Sequence, residues 1–161
     1  MKKLKIYLDT SVISHLDHTD APDKMADTLK LWSAIRRGQY DVVISSTTMD
    51  ELEGCSAEKR ELLARYLSDI SYNTTKDDLS IVAIAERFID LGILRQKSFD
   101  DCRHIAAAIV SGCDAIVSWN FKHIVNHKTV CGVKAVTAMA GYRDLMIYTP
   151  NYLVGGDNND P

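Results

Sequence analysis

No run in this 161-residue chain approaches the ~18 consecutive apolar residues of a membrane-spanning helix. The lysines of MKKLKIYLDT imitate the head of a signal peptide, but the apolar run behind them stops at Asp9, too early for a signal core. The chain is therefore expected to act in the cytoplasm. Cysteine is scarce, at positions 55, 102, 113 and 131, and no pair is spaced as C-x-x-C. That argues against a zinc site. Cys102 and Cys113 fall inside apolar patterns and read as free buried thiols of a reducing compartment. Neither a glycine-rich phosphate loop nor an x-D-x-D pair follows the first apolar segment, which argues against a small-molecule phosphohydrolase. Positive charge is not in excess either. The formal net charge is −3, which excludes a simple polycation that coats nucleic acid. Residues 41–80 carry nine acidic against four basic side chains. A local basic surface could still form from Lys2, Lys3, Arg36, Arg37, Arg95, Lys97, Arg103 and Lys122; the plainer alternative is solvated helix faces.

What is present is an ordinary globular composition, 46% hydrophobic and 25% charged, long enough for one core. A single domain over 1–154 with a flexible tail at 155–161 is expected. Residues 4–8 and 40–46 read as short buried strands, and 113–119 as a third. Helical spacing marks 24–37, closed by Gly38, and 76–92, also ended by glycine. A further helix at 56–70 opens on Ser56, and a short one at 47–54 has Thr47 or Thr48 as its cap. The apolar helix at 98–112 carries Asp100 and Asp101 in its first turn, where the helix dipole favours negative charge. Residues 134–139 read weakly as an edge strand and 145–150 as a terminal turn. Apolar strands joined by helices imply an α/β fold with a parallel sheet covered on both faces.

In such folds the carboxyl ends of the strands and the helix starts that follow line one crevice. Asp9, Glu51, Asp101 and Asn120 all map to that edge. Clustered carboxylates repel one another unless protonated or bridged by a cation. A few hard oxygen donors without a full cage suit Mg²⁺ or Mn²⁺. Such an ion can activate water for in-line attack on a phosphodiester, with Thr10, Ser11 and Asn120 orienting ligands or water.

The segments YLDTSVIS, STTMDELEG, FDDCRHIAAAIVSGCDAIVSWNFKHI and YTPNYL together resemble the PIN-domain metal-dependent ribonucleases. The likeness is closest to the VapC-type toxins of toxin–antitoxin pairs. It runs from about residue 6 to residue 154, and the third segment is the most specific. The resemblance implies a three-layer α/β/α sandwich, Mg²⁺- or Mn²⁺-dependent endoribonuclease activity, and Asp9, Glu51 and Asp101 as metal ligands. It also implies an RNA substrate, a cognate antitoxin and a homodimer, for which the helices at 56–70 and 76–92 are candidate surfaces. Many PIN domains place an aspartate where this chain has Asn120. The neutral amide lowers the charge of the site and argues against a second tightly held metal.

Each assignment has a plainer rival. Asp9 could be a helix N-cap or an exposed strand end. Asp50 and Glu53 compete with Glu51, and Asp100 competes with Asp101 unless it caps the helix. His104 reads as a structural histidine, and His123 and His127 as surface residues, with Lys122 or His123 offering a phosphate contact. Trp119 and Phe121 could stack on bases or fill core space. A catalytically weak PIN-like module that binds RNA or a protein partner is the alternative function.

Overall fold

The computed structural model describes residues 2–155, so all of the expected tail except Gly155 lies outside the described residues. Five strands form one sheet in the order β3-β2-β1-β4-β5, and every pairing is parallel. They are β1 (Leu4–Leu8), β2 (Tyr40–Ser45), β3 (Asn73–Thr75), β4 (Ala115–Val117) and β5 (Met146–Tyr148). Alternation along the strands assigns side chains to two cores. Tyr7, Val43 and Ile116 face one layer, built by α5 (Leu79–Asp90), α6 (Phe99–Val110) and α7 (His127–Ala140). Ile6, Leu8, Val42, Ile44, Ala115 and Val117 face the other. That layer holds α1 (Thr10–Ser14), α2 (Pro22–Arg36), α3 (Ser46–Leu52), α4 (Ala57–Ser68) and α8 (Pro150–Val154). The expected three-layer α/β/α sandwich is the fold observed. Among the described residues no helix is long and apolar enough to cross a membrane.

Local chemistry explains most boundaries. The Ser56 hydroxyl accepts from the Lys59 amide at 3.2 Å and starts α4, as expected. The cap of α3 is Ser45, not Thr47 or Thr48: its hydroxyl accepts from the Thr48 amide at 3.3 Å, so the helix begins directly off β2 with no loop. Gly38 follows α2 with φ +77° and Gly92 follows α5 with φ +70°, the left-handed geometry that ends a helix at little cost only for glycine. Asp100 does not cap α6. Ser98 holds that position, and the Asp100 carboxylate accepts from Arg103 at 3.0 Å. Cys102 and Cys113 are buried free thiols, which burial pushes up to about 12, whereas Cys55 is half-buried and Cys131 exposed.

Two of the expected elements also fail. Residues 134–139 belong to α7, and the sheet edge is instead formed by β5, within the span read as a turn. Lys-Ala-Val-Thr-Ala-Met sets two β-branched residues, Val136 and Thr137, side by side as a strand would, but the helix is set from outside the segment. The Asn126 side chain caps it by accepting from the Thr129 amide at 2.9 Å, and its face packs on α5. Gly132 lets that packing close: a Cβ there would meet Ile93 side-chain carbons at 2.6–2.9 Å. Gly132→Ala is therefore expected to lower the thermal midpoint, since overpacking costs about 1–3 kcal/mol against at most ~1 kcal/mol gained in helix propensity. Adding Ile93→Ala should recover part of the loss caused by Gly132→Ala; a calorimetric melt of the wild type and the two variants measures both effects.

Candidate active site

Strand order reverses at β1, which is flanked by β2 on one side and β4 on the other. Groups leaving the carboxyl ends of β1 and β4 therefore meet at a switch point, the usual ligand crevice of open parallel sheets. Asp9 follows β1 and its backbone N–H donates to Val117 of β4 at 3.3 Å. Its side chain is 3% exposed. Oδ1 accepts from the Ser11 hydroxyl at 2.6 Å and the Val12 amide at 3.2 Å, and Oδ2 accepts from the Ser118 hydroxyl. Asp9 is thus the N-cap of α1, as the plainer reading has it, and also the deepest carboxylate of the cluster. Burial drives its pKa above the ordinary carboxylate value, against the pull of His104, Ser11 and Ser118.

Glu51 reaches the same place from α3. Its Oε1 lies 2.7 Å from His104 Nε2. His104 is 3% exposed and sits on α6 one turn beyond Asp101. Its Nδ1 is 2.6 Å from the Tyr7 hydroxyl, which in turn is 2.6 Å from the Ser45 hydroxyl. Tyr7 is fully buried on β1, so its phenol needs these partners. Burial disfavours the charged imidazole, but the Glu51 hydrogen bond and the charges of Asp9, Glu51 and Asp101 outweigh it, and the His104 pKa lies above its ordinary value. Glu51 shifts the other way: its burial is outweighed by His104, and its pKa is lowered.

Asp101 is half-buried. Burial raises its pKa, opposed by His123 and His104 and reinforced by Asp9 and Glu51. The three carboxylates therefore share one field. Asn120 completes the group. Its amide donates to Asp101 Oδ1 at 3.2 Å, and its carbonyl accepts from the His123 backbone N–H at 3.0 Å. A carboxylate at 120 could not make the first contact and would repel Asp101. Trp119 is anchored inward, its indole N–H donating to Thr28 at 2.9 Å, while Phe121 is 49% exposed. Of the two, core packing claims Trp119 and leaves Phe121 free.

The structure thus draws together all four residues singled out in the sequence. It adds Ser118 and Tyr7, which sequence reasoning missed, and moves His104 from a structural residue to a buried partner of Glu51 within the site. Ser118 carried a usable signal, the polar residue closing an apolar strand; Tyr7, mid-strand, carried none. Among the described residues no three His, Cys, Asp or Glu side chains are already arranged as a metal cage, since Glu51 faces His104. The donor set nevertheless fits a hard divalent cation: three carboxylates that act on one another's titration, with oxygen donors and no thiolate among them.

The PIN-domain family model matches residues 5–122: the chain belongs to the PIN-domain family. No curated protein matches it. Among solved structures, VapC20 of Mycobacterium tuberculosis, a sarcin–ricin loop cleaving toxin, is similar with a TM-score of 0.57 and 15% identity, over 86% of this chain and 96% of that one. VapBC2 of Rickettsia felis, bound to a DNA fragment from its promoter, gives 0.55 and 13% over 91% and 98%. At those identities the likeness is one of fold.

The His104–Glu51 pair has a titration signature. A histidine whose folded pKa is raised stabilises the fold below its unfolded value and loses that contribution as pH climbs through the folded one. In the metal-free protein, NMR should find His104 titrating above the ordinary imidazole range. Glu51→Gln should bring it down, because burial alone acts in that direction. A His104 pKa unmoved by Glu51→Gln would refute the pairing.

Proposed function

We propose that the protein is a divalent-metal-dependent endoribonuclease, acting in the cytoplasm as the toxin of a toxin–antitoxin pair. The observation that carries this reading is the buried Asp9 at the switch point, with Glu51 and Asp101 brought into its field from two other elements. Asp9, Glu51 and Asp101 would hold Mg²⁺ or Mn²⁺. Bound there, such an ion supplies a water of lowered pKa and neutralises charge developing on a phosphodiester. The chain's own residues do the positioning. Ser11, Ser118 and the Val12 amide keep the Asp9 carboxylate aimed and favour its ionised form against burial, and Asn120 fixes Asp101. Attack on phosphorus breaks the bond to O3′, so the products are a 5′-phosphate and a 3′-hydroxyl. Asn120 in place of a fourth carboxylate favours one metal.

An unrestrained ribonuclease would damage its own cell, which supports an inhibitory partner, and the similarity to a VapBC structure is consistent with one. For a homodimer, α4 remains the better of the two candidate surfaces. The apolar side of α5 is spent on the core through Ile81, Ile84, Ala85 and Phe88, with Leu79 and Leu91 left outside. The competing reading, a catalytically weak binding module, draws on the engagement of Glu51 by His104.

Purified protein with Mg²⁺ or Mn²⁺ is expected to cut RNA. Removing a supporting partner of a metal ligand costs ~10–100-fold, so Asp9→Asn or Asp101→Asn, which strike the ligands themselves, should cost on the order of a hundredfold or more. Undiminished cleavage by either variant rejects the site. Calorimetric titration with Mn²⁺ separates the readings: no uptake at millimolar concentration favours the binding module.

A further inference from the structure

Of the eight basic residues that could have formed a cationic surface, few remain available together. Arg103 is engaged by Asp77 and by Asp100. Arg95, Lys97 and Lys122, however, converge on one groove of about 380 Å³, joined there by Lys128 and His123. No acidic side chain lines it. The four Lys and Arg side chains are exposed, and among the described residues none of them is paired with a carboxylate. An unneutralised cluster of like charge is costly to assemble unless a polyanion completes it.

Two chain segments join the groove to the acidic cluster. One wall is the Gln96–Ser98 turn that leads into α6 and hence to Asp101. The other is the segment after Asn120, whose His123 lines the groove, donates its backbone N–H to Asn120 and lies close enough to lower the Asp101 pKa. Beside Asn120 stands the exposed ring of Phe121, with the Lys24 ammonium 5.3 Å from its centroid and Trp119 behind it. An exposed aromatic face at a cleavage site serves an unstacked base, not a duplex.

We propose that this groove is the track of the substrate: single-stranded RNA whose phosphates lie along Lys97, Lys122 and Lys128, with Arg95 at the margin, as the strand leaves the acidic cluster. The contacts are to the backbone and carry no sequence information. The groove resolves an apparent conflict in the composition, since an acidic protein can hold a polyanion where its few cations are concentrated. The proposal rests on reading the acidic cluster as an RNA-cleaving site.

The test is fluorescence anisotropy of a 5′-labelled 12-nucleotide single-stranded RNA in EDTA, across a KCl series, with cleavage assayed separately in Mn²⁺. Each phosphate contact contributes a slope of about −0.7 in log K against log salt for a single strand. The variant combining Lys97→Gln, Lys122→Gln and Lys128→Gln should therefore bind at least ~10-fold more weakly at 0.1 M KCl and show a slope smaller in magnitude by about 2. The combination of Lys30→Gln and Arg37→Gln, on α2 and just after it, should change neither. A misfolded variant would lose binding without this graded loss of slope, and Lys122→Arg should restore wild-type behaviour at its position. Wild-type affinity and slope in the triple variant overturn the groove even if RNA is cut, as does a wild-type protein that does not bind RNA. Groove-dependent binding without cleavage upholds the track and rejects the nuclease.

Discussion

A carboxylate taken out of water at the centre of a sheet is the constraint around which this structure is organised. Asp9 loses its hydration and must recover it from the protein. It does so with two hydroxyls and one backbone amide, supplied by α1 and by the residue that closes β4. Those donors fix the distance between β1 and β4 at their carboxyl ends. They also tie the first turn of α1 to the chain that continues into Trp119 and Asn120: the Ser11 hydroxyl accepts from the Trp119 backbone N–H at 2.9 Å, and the Ser118 hydroxyl accepts from the Asn120 backbone N–H at 2.9 Å. The same contacts that stabilise one charge therefore build the frame for the rest of the site.

The second carboxylate pair brings a different solution. Glu51 and Asp101 keep partial access to solvent, and the buried imidazole of His104 offsets the field they share with Asp9. The chain from Ser45 through Tyr7 to His104 and Glu51 spans β2, β1, α6 and α3. Ser45 serves twice, as the cap of α3 and as the end of this chain. The orientation of Glu51 is thereby coupled to the sheet beneath it, and a disturbance at any one of the four positions reaches the carboxylate.

Much of this was legible before the structure. An apolar stretch stopped by Asp-Thr-Ser declares β1 and its end, and the rule for parallel sheets then carries Asp9, Glu51, Asp101 and Asn120 to one edge. What could not be read is what depends on non-local partners. β3 is Asn-Thr-Thr, with no hydrophobic signal, and exists because β2 offers it backbone hydrogen bonds. α7 is set by its Asn126 cap and by Ile93 lying over Gly132, neither of which lies within residues 134–139. The burial of His104 follows from helical periodicity, but its raised pKa follows from the Glu51 hydrogen bond and the carboxylates opposite. Arg103 resembles the other basic residues in sequence, and only the fold spends it on Asp77, 26 positions away.

The two edge strands have one more consequence. β3 and β5 are three residues long, and β3 offers only short polar side chains, mostly exposed. Such edges present too few unpaired backbone groups to template another strand. Edge-to-edge pairing of two sheets is thus disfavoured, and the larger continuous surfaces the fold offers to another molecule are its helical faces.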